Sequence, residues 1–216
     1  LQDMMIFALK GLSAYRHHAN ELGANTKNVD DIMAQTLYFT LTNMNFNFDQ
    51  HIEQLLKVGK AGVEVMDILS NAHTNKFGIP APVKISQNKA EGKAILVSGH
   101  NLHALKELLE QTKDKGINIY THSEMLPAHG YPELKKYPHL KGNLGKAWFD
   151  QTDLFNKFGG AILMTTNCIV PLRKSATYSD RLFGYDIAST KGIAHINGDD
   201  FTPLINKALE LDDVSG

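Results

Sequence analysis

Four side chains able to bind a metal or move a proton each follow closely on a short β-prone stretch. His100 comes after Ala94-Ile95-Leu96-Val97, His122 and Glu124 after Ile117-Asn118-Ile119-Tyr120, and Cys168 after Ala161-Ile162-Leu163-Met164. In a parallel sheet, ligands gather beyond the carboxyl ends of the strands, so topology alone would bring these four groups to one edge. An imidazole nitrogen, a carboxylate oxygen and a thiolate sulfur form a mixed donor set suited to a transition metal, zinc with an added water among them. A cysteine beside a histidine also permits nucleophilic catalysis, but no protease signature surrounds Cys168, and Ile169-Val170-Pro171 behind it is apolar. Each group has a plainer reading as well. His100 could cap the helix starting at Asn101, Glu124 could answer a helix dipole, and Cys168 could serve as a small buried hydrophobe.

The elements that would position them follow from periodicity. Met5, Ile6, Leu9, Leu12 and Ala19 repeat at the helical period over residues 1–22, with Gly23 as a stop. Asp30 or Asp31 is placed to cap a second helix through Ile32, Leu37 and Leu41. Asp49 is placed to cap a third, with Ile52, Leu55, Leu56, Val63, Met66 and Leu69 on its inner face. Three amphipathic helices predict a bundle over residues 1–70. Residues 71–92, with Pro80-Ala81-Pro82, read as a linker. Beyond it, residues 93–216 alternate strand and helix: strands at 94–97, 117–120, 161–164 and 193–196, helices at 101–111 and 201–211. The expected fold class is therefore α/β, a helical bundle followed by a Rossmann-like parallel sheet flanked by helices.

The bulk numbers narrow the partners. Lys plus Arg is 22 and Asp plus Glu is 23, a balance that gives nucleic acid or an anionic membrane no electrostatic hold. No run of eighteen apolar residues exists. The single cysteine excludes an internal disulfide and points to a reducing, cytoplasmic compartment. Val97-Ser98-Gly99-His100-Asn101-Leu102 is a strand-to-helix turn with one glycine where a dinucleotide fingerprint needs three, and no phosphate loop occurs, so a nucleotide is not expected.

Three segments carry a more specific likeness. Val97 to Leu102, Tyr120-Thr121-His122-Ser123-Glu124-Met125-Leu126-Pro127-Ala128-His129-Gly130-Tyr131-Pro132, and Met164-Thr165-Thr166-Asn167-Cys168-Ile169 together resemble the central domain of hybrid-cluster (prismane) proteins, the hydroxylamine reductase family. Leu1-Gln2-Asp3-Met4-Met5 and Leu41-Thr42-Asn43-Met44-Asn45-Phe46 resemble its N-terminal helical domain, and the short stretch between residues 50 and 90 fits a compact, short-form member.

The resemblance implies that His100, Glu124 and Cys168 are ligands to a hybrid [4Fe-2O-2S] cluster, an iron centre at which hydroxylamine, or nitric oxide in some members, is reduced. It implies a redox electron donor and a small nitrogen-oxide substrate as partners. It also implies a second iron–sulfur cluster, of the 4Fe–4S kind, on a four-cysteine motif upstream of Leu1, and further hybrid-cluster ligands in a domain after Gly216. A cluster of that size needs about four or more protein ligands. On this reading the chain is a fragment, inactive without the remaining domains of its parent, with a zinc-binding or catalytically silent Rossmann-like module as the alternative. His122, His129 and His139 are expected not to be iron ligands.

Overall fold

The computed structural model describes residues 1–42, 46–166 and 169–215. Cys168 and Asn167, and Asn43 to Asn45 of the family-like helical segment, therefore lie outside the described residues. The chain divides into two units, Leu1–Lys76 and Phe77–Gly216.

The first unit is three helices: α1 (Gln2–Glu21), α2 (Lys27–Thr42) and α3 (Phe48–Phe77). Their common core joins Leu9 and Leu12 of α1, Val29 of α2, and Val58, Ala61 and Val65 of α3. The expected faces shift here. On α3 the residues turned inward include Val58, Ala61, Val65 and Leu69, while Leu56, Val63 and Met66 are exposed; on α1 Ile6 is exposed, and on α2 so are Leu37 and Leu41. The helix carries two apolar stripes, and close packing of three helices selects the one with smaller side chains. The expected caps shift too. Asp30 accepts a two-pronged ion pair from Arg16, at 2.6 and 3.1 Å, and so ties α1 to α2. Asn25 accepts from the Lys27 amide, and Asn47, not Asp49, accepts from the Gln50 amide at the start of α3. Helix α3 continues to Phe77, so the first seven residues of the stretch read as linker are helical.

The second unit is a six-stranded, all-parallel sheet in the order β3-β2-β1-β4-β5-β6. The strands are β1 (Lys93–Ser98), β2 (Ile117–His122), β3 (Leu140–Asn143), β4 (Ala161–Met164), β5 (Leu182–Tyr185) and β6 (Ala194–Ile196). Between them run α4 (Leu102–Thr112), the single-turn α5 (Pro132–Lys135) and α6 (Gln151–Phe158), and after them comes α7 (Thr202–Glu210). Ala94 to Val97 are at most 1% exposed, as an apolar run in a sheet covered on both faces must be. The tail closes the unit: Val214 and Gly92 exchange both backbone hydrogen bonds, at 2.9 and 3.3 Å.

Strands β3 and β5 were not legible in the sequence pattern, and both contain a glycine that the packing requires. A Cβ on Gly142 would stand 2.2 Å from the Ser86 carbonyl oxygen, and one on Gly184 2.0 Å from that of Ala188. A residue chosen for close backbone approach breaks the hydrophobic alternation by which a strand is recognised. Among the described residues no helix is long and apolar enough to cross a membrane.

Candidate functional site

The strand order reverses between β1 and β4, and in such sheets the crevice at this switch point is where ligands bind. The chain leaving β1 meets the chain leaving β4 there. Thr165 donates to the Ser98 carbonyl from its amide at 2.8 Å and from its hydroxyl at 3.0 Å. Gly99 follows at φ +113°, and a Cβ on it would lie 2.5 Å from Thr165 Oγ1, 2.6 Å from Thr166 Oγ1 and 2.8 Å from the Thr166 amide nitrogen. Only glycine fits this crossing. The helix after it is capped by Asn101, whose side chain accepts from the Ala104 amide at 2.9 Å, so His100 is not needed as a cap.

His100 projects from that crossing with its side chain 46% exposed, and Nε2 lies 2.5 Å from Oε2 of Glu124, itself 63% exposed. On the other side of the ring, Nδ1 lies 3.0 Å from Thr166 Oγ1. A carboxylate can only accept, so Nε2 carries the proton in this pairing, and a neutral ring takes the Thr166 hydroxyl proton on Nδ1. Glu124 stands in the 3-10 turn Ser123–Gly130, entered through Ser123 at φ +51°. Asn143, the last residue of β3, donates from Nδ2 to Thr121 Oγ1 at 2.9 Å and to the Ser123 carbonyl at 3.5 Å, and so braces that exit.

The structure thus brings together two of the three residues singled out from the sequence, His100 and Glu124, at a half-exposed edge. The third, Cys168, is outside the described residues, two positions past the threonine that contacts His100. Among the described residues no third His, Cys, Asp or Glu joins the pair at ligating distance. The donors fit part of a mixed-ligand cluster set: His100, deprotonated at Nε2, and Glu124 would be among the residues holding the group, and Nδ1 would then donate to Thr166, which fixes the ring as outer-shell partners do.

The other histidines are engaged elsewhere. His122 is the last residue of β2 and points inward, 1% exposed, with Nδ1 2.8 Å from Ser98 Oγ. It is therefore not a group standing past the strand at the open edge, because the strand runs two residues longer than its apolar pattern. His129 Nε2 is hydrogen-bonded to Thr121 Oγ1 at 2.8 Å. Burial lowers both rings to about 4. His139 precedes β3 at the opposite edge of the sheet and meets Thr112 Oγ1 and the Leu109 carbonyl, each at 3.1 Å. Sequence reasoning missed Ser98, Asn143, Thr165 and Thr166. The only signal for them was hydroxyl and amide residues directly at strand ends.

A Rossmann-ordered sheet with an imidazole–carboxylate pair at its switch point, preceded by a helical unit, defines a class, and the chain belongs to the Prismane/CO dehydrogenase family, whose profile matches residues 1–215. It is 52% identical over 211 residues to a hydroxylamine reductase of Moorella thermoacetica, covering 98% of this chain and 49% of that protein. A hydroxylamine reductase of Methanothermobacter thermautotrophicus is 48% identical over 215 residues, 100% of this chain and 50% of that one. One of Zymomonas mobilis is 43% identical over 210 residues, 97% of this chain and 38% of that protein. The chain spans about half the length of the first two.

Proposed function

We propose that the chain forms part of an oxidoreductase that reduces hydroxylamine to ammonia and water, with His100, Glu124 and Cys168 among the protein ligands of a hybrid [4Fe-2O-2S] cluster. The observation that carries this reading is the His100–Glu124 pair, held at 2.5 Å at the sheet's switch point in a chain whose relatives are named hydroxylamine reductase. The cluster, when bound, supplies an iron able to take the nitrogen-oxide substrate and the electrons to reduce it. The reaction consumes two electrons, from a redox donor, and two protons for each hydroxylamine: the N–O bond breaks, nitrogen leaves as ammonia and oxygen as water.

This chain's own residues orient and hold. Thr166 fixes the His100 ring through Nδ1, Asn143 and the left-handed Ser123 set where Glu124 leaves β2, and Gly99 lets the two chains cross. Three protein donors fall short of the number such a cluster needs. The chain alone is therefore expected to be inactive, its remaining ligands and its second iron–sulfur cluster coming from the rest of a full-length protein.

A chimera tests this. The 216 residues replace the matched 211 residues of the Moorella relative, and iron, acid-labile sulfide and dye-driven hydroxylamine consumption are measured. Retention of all three, with loss of cluster iron in His100→Ala and Glu124→Ala, is the expected result. A chimera that keeps full iron content and turnover in both variants would overturn the assignment.

A further inference from the structure

The structure assigns a positioning role to the buried Ser98–His122 pair: it is the strut that holds His100 and Glu124 at bonding distance. This rests on the reading of those two residues as ligands. The geometry repeats on two strands. Ser98 and His122 form the last rung of the parallel β1–β2 ladder. Each is followed by one residue in the left-handed region, Gly99 at φ +113° and Ser123 at φ +51°, and then by the ligand, His100 or Glu124. Side chains that face one another across a parallel rung stand on the same side of the sheet, and here they join directly, Ser98 Oγ to His122 Nδ1 at 2.8 Å with both residues at most 2% exposed. The exits of the two strands are thus tied one residue before both turn out of the sheet.

The need for a tie comes from Ser123. A side-chain-bearing residue at positive φ is strained and persists only where its surroundings over-determine it. Asn143 grips the Ser123 carbonyl on one side, at 3.5 Å, and the strut fixes the preceding residue on the other. If the strut is cut, Ser123 can relax to negative φ, and that swings Glu124 away from His100.

A purely structural role explains the pair poorly. Among the described residues His122 Nε2 is buried without a hydrogen-bond partner, and its ring stands edge-on to Phe155 with centroids 5.3 Å apart. Alanine at position 98 together with phenylalanine at 122 would leave no orphaned atom, so stability alone does not call for the serine–histidine pair.

The test uses the chain itself with three substitutions. His122→Phe keeps an aromatic ring against Phe155 and removes the hydrogen bond. Ser98→Ala removes the bond from the other side with a minimal change of volume. His122→Asn places an amide where Nδ1 was and restores it. Two readouts are taken: the His100–Glu124 separation in crystals of the metal-free protein, and cobalt(II) affinity from its visible absorption. The expected result is a separation beyond about 3.5 Å in His122→Phe and Ser98→Ala, with cobalt(II) bound about tenfold more weakly, and near-parental values for both in His122→Asn. A pair still within hydrogen-bond distance in Ser98→Ala and His122→Phe overturns the proposal, as does equal weakening in all three variants, which marks a general packing defect. If the parent chain binds no cobalt(II) while the separations change as expected, the strut stands; the ligand reading fails separately, if the chimera keeps its cluster iron in His100→Ala and Glu124→Ala.

Discussion

The two units bury apolar residues by different rules. In the α/β unit β1 and β4 run through the middle of the sheet, and Ala94 to Val97 and Ala161 to Met164 are all at most 1% exposed. In the helical unit a core of Leu9, Leu12, Val29, Val58, Ala61 and Val65 forms while Phe7, Tyr38, Leu41, Leu56 and Val63, most of them larger, stay exposed. A central strand of a covered parallel sheet has no polar face to offer, so composition settles its environment. A helix can turn about its axis. When it carries more than one apolar stripe, the neighbours decide which is buried.

Substitutions on α3 probe that contrast most severely. Val65→Asp, which sets a carboxylate at a fully buried position, is expected to cost about 3 kcal/mol or more, whereas Val63→Asp, two residues away and exposed, should stay within about 0.5 kcal/mol. Urea unfolding of the two variants side by side decides it, and similar losses would put the face assignment in error. The strand counterpart is Leu96→Ala, expected to cost about 3 kcal/mol because a sealed strand position cannot collapse around the cavity, set against Leu56→Ala on α3 at about 0.5 kcal/mol or less.

Acid should act through the α/β unit. Burial holds His122 and His129 at about 4, below the ordinary 6.5. Above pH 6.5 both states are neutral at these rings and stability is unaffected. Between pH 6.5 and 4 the unfolded chain takes up protons that the folded chain refuses. Stability therefore falls as pH drops, by about 1.4 kcal/mol per pH unit for each histidine. His129→Gln should reduce that slope by one histidine's share. Urea midpoints at pH 7, 6 and 5, followed by circular dichroism, measure it; a slope unchanged by the substitution would show that the ring is not shielded.

The smallest expected effect separates the side-chain-capped α4 of one unit from the uncapped α1 of the other. Asn101→Ala removes the side-chain cap of α4 and should cost about 1 kcal/mol in thermal unfolding. Helix α1 has no side-chain cap at its first residue, and Leu1→Ala should leave the transition in place.

Much of this site could be read before any coordinates. The placement of His100 past β1 and of Glu124 past β2 needed only two apolar runs and the rule that parallel sheets gather ligands at one edge. The partners that hold them were not readable. Ser98, Asn143, Thr165 and Thr166 are ordinary polar residues, and each acquires its role from a strand distant in sequence: Thr166 meets His100 66 residues away, and Thr165 meets the Ser98 carbonyl 67 residues away. The inward turn of His122 was equally hidden, since one further residue of strand reverses the direction in which a side chain points.

What the sequence determined by itself is whatever local chemistry makes unavoidable: three helices within the first 70 residues, the covered strands β1, β2 and β4, and the glycine at the crossing. Tertiary structure alone decided which stripe of α3 is buried, that β3 and β5 join the sheet through glycines at close backbone approaches, and that a histidine and a glutamate 24 residues apart meet at 2.5 Å. Periodicity fixes the kind of element because it acts within a few residues. Facing, register and side-chain pairing depend on what the rest of the chain presents, and a close contact between two strand exits exists only after both strands have taken their places in one sheet.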